Sequence, residues 1–155
     1  MELLTGKYKA TLDEKGRISL PAPLRKALDE SELFLGEGME NCLWLYPRNE
    51  YMEMLKEVNE NTDRFSQKDR EIRRWVFSFQ KVEVDKNKNG RIQIPQNIRE
   101  IAGLSKDCII TGQYEYIEIW DEERFCKYEA ENKDDSNTAF EELSITLKRR
   151  RGVKE

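Results

Sequence analysis

The sequence contains no histidine, and this absence limits the chemistry that the chain can perform. Histidine is the commonest general base in enzymes and the commonest metal ligand in proteins. Without it, a Ser-His-Asp triad and a Cys-His nucleophile are excluded, and a zinc site would need cysteine and carboxylate ligands alone. The chain also lacks a glycine-rich loop of the P-loop type. The sequence therefore argues against an enzyme and predicts no catalytic residue, metal or cofactor.

Cysteines and long apolar runs are also scarce. The three cysteines, Cys42, Cys108 and Cys126, form no CxxC pair and no even-numbered framework, which is typical of reduced thiols in a cytosolic protein. No apolar run approaches the roughly 20 residues that a membrane-spanning helix needs, and the N-terminus does not resemble a signal peptide. We therefore expect a cytoplasmic protein with no membrane segment.

What the sequence does contain is charge. Of its 155 residues, 37% are charged and 37% are hydrophobic, and the formal net charge is −4. The length suits one compact domain or two small interlocked halves. A negative net charge argues against general binding to polyanions. Binding to nucleic acid would therefore require basic groups gathered on one face, or brought together by assembly of subunits.

A turn-and-strand motif occurs twice. Residues 13–21 read DEKGRISLP, and residues 85–95 read DKNKNGRIQIP. From the glycine onward the copies match at an offset of 74 positions, which pairs Gly16, Arg17, Ile18, Pro21 and Arg25 with Gly90, Arg91, Ile92, Pro95 and Arg99. Upstream the offset is 72, so the second turn has two extra residues within 86–89. This register indicates an internal duplication rather than two hairpins that became similar by convergence.

Both halves predict the same series of elements. Alternating strands flank each turn, and a proline then begins a short helix before two apolar strands. The first half predicts strands at 6–12, 17–20, 33–35 and 42–46 and helices at 22–29 and 48–60. The second half predicts strands at 80–84, 91–94, 107–111 and 115–120, a helix at 96–102 and the start of another at 121.

Four regions follow from this pattern. The first half spans 1–65, a linking helix spans 66–79, and the second half spans 80–128. Ser66 is the predicted cap of the linking helix. Residues 129–155 are first acidic and then basic, and we expect them to form a flexible tail because they have little apolar surface to bury.

The repeated motifs resemble the MraZ family, whose members are transcriptional regulators of the bacterial division and cell-wall gene cluster. The resemblance covers residues 1 to about 128 and includes WLYP in the first half and IEIWD in the second. It implies an α+β, mostly β fold of two SpoVT/AbrB-like swapped-hairpin (double-split barrel) repeats with short helices. It also implies a ring-shaped homo-oligomer that binds double-stranded DNA, with no small-molecule substrate.

The family's hallmark in each half is a DxxxR motif. The first is intact from Asp13 to Arg17. In the second half, Asn87 stands four residues before Arg91 and Asp85 stands six before it. Either Asp85 is the equivalent acid and two residues follow it as an insertion, or Asn87 takes the place of the acid. The upstream offset favours Asp85.

The two turns carry the candidate DNA contacts. An arginine can bind phosphate or guanine in a forked geometry, whereas a lysine acts as a compact charge. Carboxylates repel phosphate, so the acids are expected to hold the turns or to orient the arginines. The predicted DNA-binding residues are Lys15, Arg17, Lys86, Lys88 and Arg91. The predicted turn supports are Asp13, Gly16, Asp85 and Gly90.

Simpler interpretations exist for the same residues. Asp13 and Arg17 could form an ordinary ion pair on a solvated hairpin, which is worth about 0–1 kcal/mol. The basic residues of the linking helix could be only its solvated side: Lys68, Arg70, Arg73 and Arg74. The three tryptophans, Trp44, Trp75 and Trp120, fit a core or a subunit interface better than base stacking, because each lies in an apolar pattern.

Three functions remain to be compared. The first is a sequence-specific, nucleoid-associated DNA-binding regulator, a repressor of the division and cell-wall gene cluster and its own promoter, which binds short DNA repeats as a ring. The alternative is an antitoxin-like or assembly module that acts mainly through protein partners, with 129–142 as the binding part. An enzyme with a carboxylate site at Asp13, Glu83 and Asp85 is the third, and no motif supports it.

Overall fold

The computed structural model of the chain describes residues 4–29, 32–85 and 90–153. Residues up to Glu122 form one compact unit, and residues from Glu123 onward form a second. In chain order the elements are β1 (Lys7–Thr11), β2 (Arg17–Ser19), α1 (Ala22–Asp29), β3 (Leu33–Glu37), β4 (Leu43–Pro47), α2 (Arg48–Asn61), α3 (Gln67–Val76), β5 (Gln80–Val82), β6 (Val84–Asp85), β7 (Arg91–Gln93), α4 (Gln96–Ala102), β8 (Asp107–Gly112), β9 (Ile117–Asp121) and α5 (Glu122–Val153).

The strands form two antiparallel sheets in which the halves of the duplication exchange strands. The larger sheet has the order β1-β8-β9-β4-β3-β5, and the smaller has the order β2-β7-β6. Strand β1 of the first half pairs with β8 of the second, and β5 of the second half pairs with β3 of the first. The predicted α+β fold of two interlaced hairpin repeats is therefore confirmed.

The register of the strands gives the fold an approximate two-fold symmetry. Ile18 lies opposite Ile92, its own counterpart in the duplication, at the centre of the β2–β7 pair. In the larger sheet, Trp44 of β4 likewise lies opposite its counterpart Glu118 of β9. Each half therefore meets the other through equivalent residues, as two subunits of a symmetric dimer would.

The main core is shared by the two halves. Because strand side chains alternate between faces, each strand contributes every second residue to it. The largest fully buried side chains are Ile18, Leu20, Leu24, Leu28, Leu33, Leu35, Leu43, Leu45, Ile92, Ile94, Ile110 and Ile117. Removing either half would expose the apolar residues of the other.

A second, aromatic cluster holds the linking helix. The Tyr51 hydroxyl of α2 donates to the Val76 carbonyl of α3 at 2.8 Å. The predicted cap of α3 is present, since the Ser66 hydroxyl accepts from the Asp69 amide at 3.4 Å. Trp75 packs against Trp44 with ring centroids 5.5 Å apart.

The three tryptophans pack against other parts of the protein, which fits a core or interface role better than base stacking. Trp120 is only 3% exposed, and the Trp75 indole nitrogen donates to the Glu37 carbonyl at 2.7 Å. The Trp44 ring also lies 4.9 Å from that of Tyr116. Rings held in this way are packed against the protein, which leaves them poorly placed to stack on bases.

The C-terminal segment, predicted to be a flexible tail, is helical in the described residues. Helix α5 continues through residues 129–153, where the acidic and polar composition led us to expect irregular structure. No proline follows Pro95, and Gly152 is the only glycine after Gly112, so nothing in the segment breaks a helix. The long helix also gives the chain more helix than a mostly β fold implies. None of the helices in the described ranges has the length and apolar content to cross a bilayer.

Candidate nucleic-acid interface

The Asp13 side chain organises the first turn. Its Oδ1 atom accepts hydrogen bonds from the backbone amides of Lys15 and Arg17, each at 2.9 Å. The Gly16 amide donates to the Asp13 carbonyl at 3.0 Å, and the Asp13 amide donates to the Arg17 carbonyl at 2.9 Å. Gly16 has a φ of +80°, a backbone angle that residues other than glycine rarely adopt. The sequence D-x-x-G-R thus closes the turn on itself.

The same carboxylate contacts an arginine from each half. Arg17 Nε lies 2.8 Å from Asp13 Oδ2, and Arg91 Nη1 lies 3.8 Å from that same oxygen. The amide of Arg17, its guanidinium and the amide of Lys15 together lower the pKa of the Asp13 carboxyl below its usual value. Asp13 is therefore an anion that draws the arginines of both turns to one place.

The positive groups at the first turn remain available to a ligand. In the part of the chain that the structure describes, neither the Lys15 ammonium nor the terminal amino groups of Arg17 have a hydrogen-bond partner. Lys15 is exposed, whereas the Arg17 side chain is about one-third exposed, at 30%. Arg17 is thus held at Nε while its outer edge points to solvent.

Backbone hydrogen bonds fix the two turns relative to each other. The Ile94 amide donates to the Gly16 carbonyl at 2.8 Å, and the Leu20 amide donates to the Gly90 carbonyl at 3.2 Å. Leu20 and Ile94 are counterparts in the duplication, as are Gly16 and Gly90. These two bonds are therefore equivalent, and each ties the glycine of one turn to the strand that follows the other turn.

The strand pairing beside the second turn shows which acid corresponds to Asp13. Asp85 pairs with Arg91 and Val84 pairs with Ile92 in the β6–β7 ladder, just as Leu12 bridges Ile18 in the first half. Asp85 therefore occupies the equivalent position, and the two extra residues follow it. The predicted contacts Lys86 and Lys88 lie outside the described residues, as does Asn87. Gly90 has a positive φ of +62°, like Gly16.

Two supporting arginines were missed by the sequence analysis. A Cβ atom on Gly16 would lie 2.6 Å from Arg99 Cζ, and one on Gly90 would lie 3.0 Å from Arg25 Cδ. Each arginine thus covers the turn of the other half, and Arg25 Nε also donates to the Leu20 carbonyl at 2.7 Å. Their identical positions in the two copies were the only available signal.

Two of the four basic residues of α3 make local hydrogen bonds. Arg73 Nη1 donates to the Thr62 hydroxyl at 2.9 Å and to the Asn59 side chain at 3.2 Å. Arg70 Nη1 donates to the Arg64 carbonyl at 3.2 Å. These bonds tie α3 to the end of α2 and the connection that follows it.

The two buried cysteines lie in surroundings that keep their thiols protonated. Among the described residues, no group of three or more cysteine and carboxylate side chains could hold a metal ion. Burial raises the pKa of the Cys108 thiol to about 12, and it also raises the pKa of Cys42. Because the thiolate is the reactive form, neither buried cysteine is suited to act as a nucleophile near neutral pH.

The chain matches one protein family and several of its members over most of its length. A family model described as "MraZ protein, putative antitoxin-like" matches residues 3–74 and 79–147. The transcriptional regulator MraZ of Treponema denticola is 44% identical over 141 residues, which cover 90% of this chain and 96% of that protein. Proteins of the same name from Treponema pallidum and Acetivibrio thermocellus are 39% and 34% identical, over 90% of this chain and 93% and 96% of their own lengths. The chain belongs to the MraZ family.

Proposed function

We propose that this chain is a sequence-specific DNA-binding transcriptional regulator whose two turns form one DNA-contacting surface. The observation that carries the proposal is the shared carboxylate: Asp13 holds Arg17 and Arg91, one from each half, at the same point. Two solvated ion pairs on separate hairpins would not converge in this way. Relatives that are named transcriptional regulators support the same class of function.

The geometry suggests how the surface would work. Asp13 restricts the Arg17 guanidinium through Nε, so less side-chain entropy is lost when the outer amino groups bind phosphate or guanine. Lys15 adds an exposed charge that can reach a phosphate. Arg91 supplies a second guanidinium, 3.8 Å from the same carboxylate, and Lys86 and Lys88 are proposed to extend the same surface.

Assembly would make this small surface effective. The turns of each chain offer few cationic groups, and non-specific affinity for DNA increases with the number of phosphates neutralised. Several chains in a ring would align their turns along one duplex, so that each further contact becomes intramolecular. An acidic protein could thus bind short DNA repeats through local basic surfaces. We propose a cytoplasmic, nucleoid-associated repressor of the division and cell-wall gene cluster and of its own promoter.

The direct test uses the DNA upstream of the protein's own gene. The Arg17→Ala/Arg91→Ala variant should bind this DNA much more weakly than the wild type in a fluorescence anisotropy titration. Its plot of log affinity against log salt should become shallower by about 0.9 for each phosphate that the variant no longer neutralises. A thermal melt shows whether the variant is folded.

The matched control removes two positive charges away from the turns. Lys56→Ala/Arg64→Ala changes the net charge equally at two exposed positions, and this variant should bind like the wild type. If the folded turn variant bound the promoter as tightly as the control, the assignment of the turns would be wrong.

The alternative function is a module that acts through protein partners. The family description includes the words antitoxin-like, and residues 129–142 are acidic and largely exposed. Deletion of residues 130–155 would then abolish capture of a partner while leaving promoter binding intact. Retention of every captured protein after the deletion would remove this alternative.

A further inference from the structure

The last turns of α5 carry an exposed apolar stripe. Phe140, Leu143 and Leu147 are 71%, 52% and 40% exposed. Their spacing of three and four residues places them on one face of the helix. A helix gains most of its stability by packing an apolar face against something, so this stripe has the pattern of a surface that another helix covers.

The charges on α5 are divided along its length. Residues 129–142 contain six acidic residues and one lysine, and residues 148–151 are four consecutive basic residues. The apolar stripe begins at the end of the acidic segment and ends just before the basic segment. The helix is therefore complementary to itself when a second copy runs in the opposite direction.

We propose that α5 pairs antiparallel with α5 of a second copy of this chain through this stripe. The positions 140, 143, 147 and 150 follow the three-and-four spacing of a coiled-coil seam. Centring the pair on position 145 places Leu143 opposite Leu147 of the second copy, and Phe140 opposite its Arg150. Leucine then meets leucine, and a guanidinium covers an aromatic ring.

Charge decides the direction of the pair. In the antiparallel arrangement centred on position 145, Lys148 and Arg149 lie level with Glu142 and Glu141 of the second copy. A parallel arrangement would instead place the basic segment of one chain beside the basic segment of the other, where like charges repel. The stripe uses none of the residues that we propose to bind DNA, and the inference does not depend on that function.

Disulfide trapping in the full-length protein tests the pairing. Cys126 is exposed and would be replaced by serine, while Cys42 and Cys108 are buried and can remain. Leu143→Cys and Leu147→Cys chains, one with a size tag, would be co-expressed and oxidised with diamide. The mixed pair should cross-link at least about tenfold faster than either variant alone, because only the opposing positions come within disulfide distance.

The control is Ile145→Cys, whose side chain is as exposed as that of Leu143 but lies on the opposite face of the helix. It should cross-link slowly in every combination. A mixed-pair rate no higher than this control would overturn the proposal, and so would rapid cross-linking of each variant with itself, which indicates parallel helices.

A further variant separates this result from DNA binding. Adding Arg17→Ala/Arg91→Ala to the cysteine variants should leave the rate of mixed cross-linking within about twofold of its original value, since the turns lie outside the paired helices. A large drop in the cross-linking rate in this background would contradict the pairing as described.

Discussion

At the residue scale, the first turn depends on one carboxylate and one glycine. Asp13 accepts from two backbone amides and from the Arg17 side chain, and Gly16 permits the backbone to turn beneath Arg99. The side chains of Asp13 and Arg17 are each about one-third exposed. Solvent screening therefore keeps the contribution of their ion pair to stability small, and the main effect of the pair is to orient the arginine.

Replacement of Gly16 by alanine should destabilise the protein. The φ of +80° strains any residue with a Cβ, and the new methyl group would also collide with the Arg99 guanidinium. We expect the free energy of unfolding in urea to fall by about 1–3 kcal/mol. The control is Gly152→Ala, where nothing lies within 4 Å of the new Cβ; it should change stability by less than about 0.5 kcal/mol. Equal effects at both sites would contradict the role of Gly16.

The Asp13 carboxyl should make stability depend on pH. Its pKa in the folded protein lies below the ordinary value of 3.8, chiefly because the Arg17 amide donates to the carboxylate. A depressed folded pKa gives stability that is present above the unfolded pKa and is lost as pH falls through the folded pKa. The difference in unfolding free energy between wild type and Asp13→Asn should therefore be largest near neutral pH and shrink below pH 3.8. A difference that is constant with pH would argue against the ionised carboxylate.

At the scale of elements, the pairing of β2 with β7 joins the two halves in the small sheet. Ile18 and Ile92 face each other in this pair and are fully buried. The two isoleucines have similar surroundings, because they occupy the same position in the two copies of the repeat. The small sheet thus links the two turns to the shared core.

Truncating either central isoleucine should have a similar effect. We expect Ile18→Ala and Ile92→Ala each to lower the free energy of unfolding by about 2–5 kcal/mol, since each removes buried methyl groups and leaves a cavity. Ile145→Ala, at a position that is 52% exposed, should change it by less than about 0.5 kcal/mol. Chemical denaturation of the three variants measures this. A decrease at only one of the two buried sites would show that the halves are not equivalent there.

The sequence predicted most elements but not how they pair. Alternating residues such as Tyr8, Ala10 and Leu12 indicate a strand, yet periodicity carries no information about its partner. The pairing of β1 with β8 joins segments about a hundred residues apart and depends on the shared core. Arg25 and Arg99 were missed because their closeness to Gly90 and Gly16 exists only in three dimensions.

At the scale of the whole molecule, the binding that we propose would depend on how several small surfaces meet one duplex. The formal net charge is −4, so binding to DNA would have to use local basic surfaces such as the turns. In the proposed ring, many weak interactions would act together, and the affinity would depend on whether the DNA repeats match the spacing of the subunits.

This dependence can be tested by changing the spacing of the promoter repeats. Inserting about half a helical turn, roughly 5 base pairs, turns the second repeat to the opposite side of the duplex. The affinity should fall at least about tenfold, because the two repeats can no longer be bound together, and an insertion of roughly 10 base pairs should restore part of it. Gel-shift titrations of the three DNAs measure this. Equal affinity for all three would mean that each repeat is bound independently.

The exchange of strands between the halves also sets when the chain can fold during synthesis. Strand β1 is made about a hundred residues before its neighbour β8, which begins at Asp107. Until β8 has left the ribosome, β1 has an unpaired edge and the first half has an incomplete core. Contacts between such distant segments also form slowly. The first half therefore remains open to chaperones and proteases until β8 has been made, and it completes its fold only then.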